Sequence, residues 1–158
     1  MSELQALEKW AGGLLAQLSP AARRSAMRDV ARELRRSQQA RIAAQRNPDE
    51  SAFAPRKARA AKGKKLREKK GRIKRAAMFA KLRTARFLDI ESDAMGLAVG
   101  FAGRVSRVAR VHQYGLKDRV APHGVEYKYP ARALLGFTDT DRDLIRDMLL
   151  RHVMKHNT

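Results

Sequence analysis

Residues Val99 to Leu116 read V-G-F-A-G-R-V-S-R-V-A-R-V-H-Q-Y-G-L, and how this stretch folds decides what the rest of the chain packs against. It opens as a strand, with Val99 and Phe101 on one face, and Gly103 offers a turn. From there Val105, Val108, Ala109 and His112 share one helical face, while Arg104, Arg107 and Arg110 form a stripe three residues apart. A strand is the competing reading, since four valines favour extended structure. Helix is preferred because Gly115 stands where a left-handed C-terminal cap belongs.

Downstream, Lys117 to Gly124 reads as a polar loop, and Val125 to Tyr129 alternates as a further strand stopped by Pro130. Thr138-Asp139-Thr140-Asp141 is a capping box. The helix it opens buries Leu144, Ile145, Met148, Leu149 and Val153. Asp139, Asp141 and Asp143 sit at its positive end, and His152, Lys155 and His156 at its negative end. Upstream, Met95 to Phe101 is expected to pair with Arg86 to Ile90 across a turn at Glu91 to Ala94, preceded by a short helix at Met78 to Leu82.

The N-terminal part is helical. Leu4, Leu7, Trp10, Leu14, Leu15 and Leu18 follow three-and-four spacing, and Gly12-Gly13 weakens that helix by about 1 kcal/mol per glycine relative to alanine. Ser19-Pro20 starts a second helix, with serine as N-cap and proline at the first helical position. It runs to about Arg46, burying Met27, Val30, Leu34 and Ile42, with Arg24, Arg28, Arg32, Arg35 and Arg36 outside. Asn47-Pro48-Asp49 ends it, because the residue before proline avoids the helical region. The expected class is α+β: a helical hairpin (1–46), a basic arm (47–76), and a small core (77–158). In that core an antiparallel sheet of about three to four strands packs with a central helix and a C-terminal helix.

Charge is the other dominant feature. The 158 residues carry a formal net charge of +19, with 44% hydrophobic but only 6% aromatic residues, so the core should be small and aliphatic. Arg56 to Arg75 holds twelve Lys/Arg against Glu68 alone. Its large apolar residues are Leu66 and Ile73, too few to offset the ordering entropy unaided. The segment therefore reads as an arm disordered in isolation, or one ordered on a partner. Twelve cations can neutralise phosphates, or dock on an acidic protein surface; no aromatic for base stacking lies beyond Phe53 at its edge.

Cysteine is absent, which excludes disulfides, cysteine metal sites and a cysteine nucleophile. No secretory signal or membrane-length apolar run is evident, so a soluble protein made in a cytoplasm is expected. The search for a catalytic constellation comes back nearly empty. His112 is the best acid–base candidate, yet its neighbours Gln113 and Tyr114 are not acidic, and packing with a hydrogen bond to the following loop is the preferred role. His152 and His156 lack the third ligand zinc requires. Ser25, Ser37 and Ser106 have no nucleophile-elbow context, and Gly63-Lys64-Lys65 is not a P-loop. Asp139, Asp141 and Asp143 lack the glycine and closing glutamate of a calcium loop. No enzyme, metal or cofactor is expected.

One resemblance emerges from longer stretches. Val99 to Val120, followed by Y-P-A-R-A-L-L-G-F-T-D-T-D (Tyr129–Asp141), resembles the phage virion morphogenesis family. R-I-A-A-Q-R-N-P-D-E-S-A-F-A-P-R-K (Arg41–Lys57) and M-F-A-K-L-R-T-A-R-F-L (Met78–Leu88) agree with it. Glu50 departs from the pattern, since glycine is expected after Pro-Asp, and a less tight turn is expected there. The resemblance implies non-enzymatic structural work at the head-proximal end of a phage tail, finishing the tube and preparing it for the head. It implies homo-oligomeric rings, commonly hexameric, with a small α/β core. The implied partners are the tail tube, the sheath, the head–tail connector and DNA in the channel, with no membrane. The implied location is the virion neck, assembled in the host cytoplasm, and a headless contractile particle is a further possible home. Arg56, Lys57, Lys64, Lys65, Arg67, Lys69, Lys70, Arg72, Arg104, Arg107 and Arg110 are the candidate partner- or DNA-facing residues. The alternative is a general basic nucleic-acid-binding protein.

Overall fold

The computed structural model describes residues 2–56 and 77–156. Lys57, Lys64, Lys65, Arg67, Lys69, Lys70 and Arg72, and with them positions 57–76 of the expected arm (47–76), lie outside the described residues. The element order is α1 (Glu3–Leu15), α2 (Pro20–Ala43), β1 (Leu88–Ser92), β2 (Leu97–Phe101), α3 (Val105–Tyr114), β3 (Lys117–Arg119), β4 (Glu126–Lys128) and α4 (Asp139–His156).

Local signals set most boundaries. Ser2 and Gln5 form a reciprocal capping box on α1, which runs through Gly12-Gly13 unbroken. Ser19 caps α2 by accepting from the Ala22 amide at 3.3 Å, with Pro20 at the first position. The Thr138 hydroxyl accepts from the Asp141 amide at 3.1 Å, and the Asp141 carboxylate accepts from the Thr138 amide at 3.0 Å. At Gly115 the backbone is left-handed (φ 64°), and a Cβ there would come within 3.0 Å of the Ala131 nitrogen. Only glycine meets both conditions.

Two hydrophobic clusters follow. The first joins α1, α2 and α4 through Leu7, Leu18, Ala26, Met27, Val30, Leu34, Ile145, Leu149 and Val153, with Leu97 and Val99 of β2 against it. The second gathers Ile42, Phe53, Met78, Ala109 and Leu134, with Phe79, Leu82 and Phe101 around them. α2 spans both, which makes it the spine of the fold. Leu4 and Trp10, expected on the buried side, are each 38% exposed because α1 covers only part of the first cluster.

The sheet differs from expectation. Among the described residues, four strands form two separate antiparallel pairs, β1–β2 and β3–β4, instead of one sheet of three to four. Lys117 to Arg119, read as loop, is a strand whose partners are Lys128, Tyr127 and Glu126. The pairing is set by a tight turn in which the Gly124 amide donates to the Ala121 carbonyl at 2.9 Å. Three polar residues carry no alternation from which this could be read. The β1–β2 turn falls at Asp93 to Gly96, later than expected, because the Asp93 carboxylate accepts from the amides of Met95 (2.6 Å) and Gly96 (2.9 Å). Met78 to Leu82 forms turns, not a helix, since Phe79 is left-handed at φ 64°. On α3 the buried face holds Ala109 and Val111, while Val108 is 44% exposed.

At Asn47 to Glu50 the turn stays closed: the Glu50 amide donates to the Asn47 carbonyl at 3.0 Å. Glu50 occupies the left-handed region (φ 66°), the position where glycine was expected. The expected loosening is therefore taken up as backbone strain, not as an opened turn.

Candidate functional site

The loop from Tyr129 to Phe137 lies between α2, α3 and residues 45–56, and buried polar side chains hold it there. Arg132 is 3% exposed. Its Nε donates to the Ala54 carbonyl at 2.7 Å and its Nη2 to the Pro55 carbonyl at 2.9 Å. Its backbone amide donates to the His112 carbonyl at 2.7 Å. Burial holds its guanidinium below the usual arginine range; Tyr127 opposes that effect and Arg56 adds to it.

Arg132 Nη1 lies 3.1 Å from His112 Nδ1. A guanidinium only donates, so Nδ1 accepts and Nε2 carries the imidazole proton. Burial, followed by the nearby Arg132 charge, lowers the His112 pKa to about 4. Such an imidazole is neutral at physiological pH and a weak base, and among the described residues no carboxylate is hydrogen-bonded to it. His112 thus packs and hydrogen-bonds the following loop, as its sequence context suggests. It sits in the middle of a run of edge-to-face rings: Phe53 to Phe79 (5.8 Å), Phe79 to His112 (4.9 Å), His112 to Tyr129 (5.0 Å) and Tyr129 to Tyr127 (5.0 Å).

The sign of the pH effect follows. The unfolded imidazole binds a proton near pH 6.5 and the folded one only near 4. His112 therefore contributes stability above about pH 6.5, and that contribution is lost as pH falls from 6.5 towards 4. Discounted for its partial exposure, the loss is on the order of 1–2 kcal/mol. Denaturant midpoints between pH 4 and 7 are expected to show this slope in the parent and a flatter profile in His112→Gln. Equal slopes would refute the assignment.

A cavity of about 260 Å³ opens beside this ring run, lined by Arg56, Met78, Phe79, His112, Tyr127, Tyr129, Pro130 and Arg132. Its charged groups are two guanidiniums. Arg56, which directly precedes positions 57–76, and Met78, one residue past Ala77 on their other side, both line it. Gln45 fixes the second of these: its Nε2 donates to the Met78 carbonyl at 3.0 Å, and its Oε1 accepts from the Met78 amide at 2.6 Å.

Among the other candidates, the α3 stripe divides. All three arginines are exposed, but Arg107 is bound to Asp118 of β3, whose carboxyl that contact holds below the usual range. A second cationic row, Arg24, Arg28, Arg32 and Arg36, is exposed along α2 at one-turn spacing; Arg32 and Arg36 face Asp29 and Glu33. His152 Nε2 lies 3.3 Å from Asp29 and stacks on His156 at 6.3 Å. Among the described residues no group of three or more His, Asp or Glu side chains is placed to hold a metal. No helix among them is long and apolar enough to cross a membrane.

The buried polar residues Arg132, Gln38 and Asp141 were not singled out as functional positions by pattern. An arginine inside the apolar run A-R-A-L-L was the available signal for Arg132.

These features describe a small α+β body whose polar groups serve architecture and whose surface is strongly basic. The chain belongs to the phage virion morphogenesis family, whose model matches residues 2–154. It is 40% identical over 154 residues to tail completion protein S of Escherichia phage P2, covering 97% of this chain and 99% of that protein. No solved structure gives a significant match.

Proposed function

We propose that this chain is a non-enzymatic structural protein that completes the head-proximal end of a phage tail, or of a headless tail-like particle, and readies it for head joining. The observation that carries this reading is the end-to-end likeness to a tail completion protein, 97% of one chain against 99% of the other. The site chemistry agrees. His112 lacks the pKa and the carboxylate partner that acid–base work requires, and Arg132 is committed to backbone carbonyls. We further infer a closed homo-oligomeric ring, expected to be a hexamer, that meets the tail tube, the sheath or the head connector. Exposed cations such as Arg104 and Arg110 would face those partners or the DNA in the channel.

Particles made without the chain test the reading. Electron micrographs are expected to show unjoined or overlong tails beside intact, separate heads; normally joined virions would refute it. The exposed arginine row on α2 keeps a second reading in play, a general polyanion binder. Salt-dependent duplex binding by the purified protein, with no effect on tail joining, would favour that instead.

A further inference from the structure

Two surfaces of the molecule stand apart from the rest. The first is an open groove of about 400 Å³ between α1, the β1–β2 turn and the middle of α4. Its floor is the first cluster, reached through Met27, Val30 and Leu149, because α1 leaves that side of the core uncovered. Its rim carries Leu4 (38% exposed), Phe137 (38%) and Met95 (88%). The charged residue lining it is Glu8, and the adjoining depression that shares Met95 and Gly96 is lined by Glu91 and Asp93. On a chain of net charge +19, a groove lined by Glu8, beside a depression lined by Glu91 and Asp93, with no cation among the described residues lining either, is a marked local reversal.

The second surface is the tip of the β3–β4 hairpin. Val120 is 63% and Val125 81% exposed, and the Val120 amide donates to the Val125 carbonyl at 3.3 Å, so the two valines sit across from each other. The stretch from Arg104 to Lys128 that presents them holds six cations against two carboxylates, one of which, Asp118, is already bound by Arg107. The tip is thus an apolar knob on a basic mount. The groove is an apolar depression with an acidic rim.

We propose that the β3–β4 hairpin tip of one copy seats in the α1–hairpin groove of the next, with Val120 and Val125 against the apolar floor and Met95. This rests on the ring reading above and adds to it the surfaces that meet. Occupancy by a second copy is argued from charge complementarity: the knob's basic surroundings oppose Glu8, Glu91 and Asp93. Knob and groove are different patches with no residue in common, so the contact is heterologous. Repeated copy to copy, it either closes into a ring or runs on as a filament.

The absence of cysteine makes the contact directly testable. Both Val120 and Met95 are exposed, so full-length Val120→Cys/Met95→Cys should fold, which circular dichroism checks. Oxidation of this variant, purified and within assembled particles, is expected to give a ladder of covalent dimers and larger multimers, because a disulfide forms only across a short Cα separation. Mixing the two single variants is expected to stop at dimers. Three results would overturn the contact: no ladder in particles that contain the variant, a dimer from Val120→Cys alone, or capture of a different protein by either cysteine. The tail-joining assay reads the underlying function separately. Joined virions without a ladder defeat the contact alone, and normal joining without the chain defeats the reading beneath it.

Discussion

Asp141→Ala is expected to destabilise the fold by about 3–5 kcal/mol, the scale for removing one partner from a buried charged network. Asp141 is 1% exposed although it opens α4. One role is local: its carboxylate accepts from the Thr138 amide and caps the helix. The other is long-range. The Ser37 hydroxyl donates to Oδ1, and Gln38 Nε2 donates to Oδ2 at 3.4 Å, which ties α4 to α2. Gln38 Oε1 in turn accepts from Arg41 and from the Gly136 amide at 3.2 Å. Arg41 donates to the carbonyls of Ala133 (3.1 Å) and Leu134 (3.0 Å). Burial lowers the Arg41 pKa and the Asp141 charge partly restores it, so alanine would leave a half-buried cation without its counter-charge. Asp141→Asn keeps a capping oxygen and should fall well short of the alanine loss. Denaturant unfolding at neutral pH measures both, and an alanine effect under about 1 kcal/mol would show the network to be dispensable.

Arg132→Met is expected to cost about 3 kcal/mol, from two charged hydrogen bonds to backbone carbonyls and one to His112. Methionine keeps much of the stem's volume, so the change isolates the guanidinium. Its effect should be regional as well as global. Hydrogen exchange at the Phe53 amide, which donates to the Gln45 carbonyl at 2.8 Å, should accelerate more than exchange in α2, because the neighbouring Ala54 and Pro55 carbonyls lose their donor. Arg132→Lys keeps the charge but not the planar fork, and should recover less than half of the loss. Uniform acceleration across the whole chain would argue against a regional role.

The legible parts of this fold were those written within a turn of the chain. Ser19-Pro20, the Thr138–Asp141 box and Gly115 each act on backbone groups a few residues away, and the structure has all three where the sequence put them. Helix periodicity found Val30, Leu34, Ile42 and Leu149 for the same reason. What escaped depends on partners remote in sequence. β3 exists only because β4 lies opposite; nothing in Lys117-Asp118-Arg119 itself favours a strand. The α3 face was assigned to Val108 over Val111 because both valines fit a helical stripe, and only packing chooses between them. Asp141 was read as a cap, while its bonds to Ser37 and Gln38, about a hundred residues away, could not be seen. Around His112 the packing role was legible, but its donor Arg132 was not, since a lone arginine among apolar neighbours does not declare its target.

Arg132 grips Ala54 and Pro55, while Gln45 grips both backbone groups of Met78. Both grips hold described residues close to positions 57–76, and Arg56 and Met78 beside them line one cavity. The side chains that make these grips, Arg132 and Gln45, both lie outside positions 57–76, so substitutions confined to those positions remove none of the four anchoring hydrogen bonds.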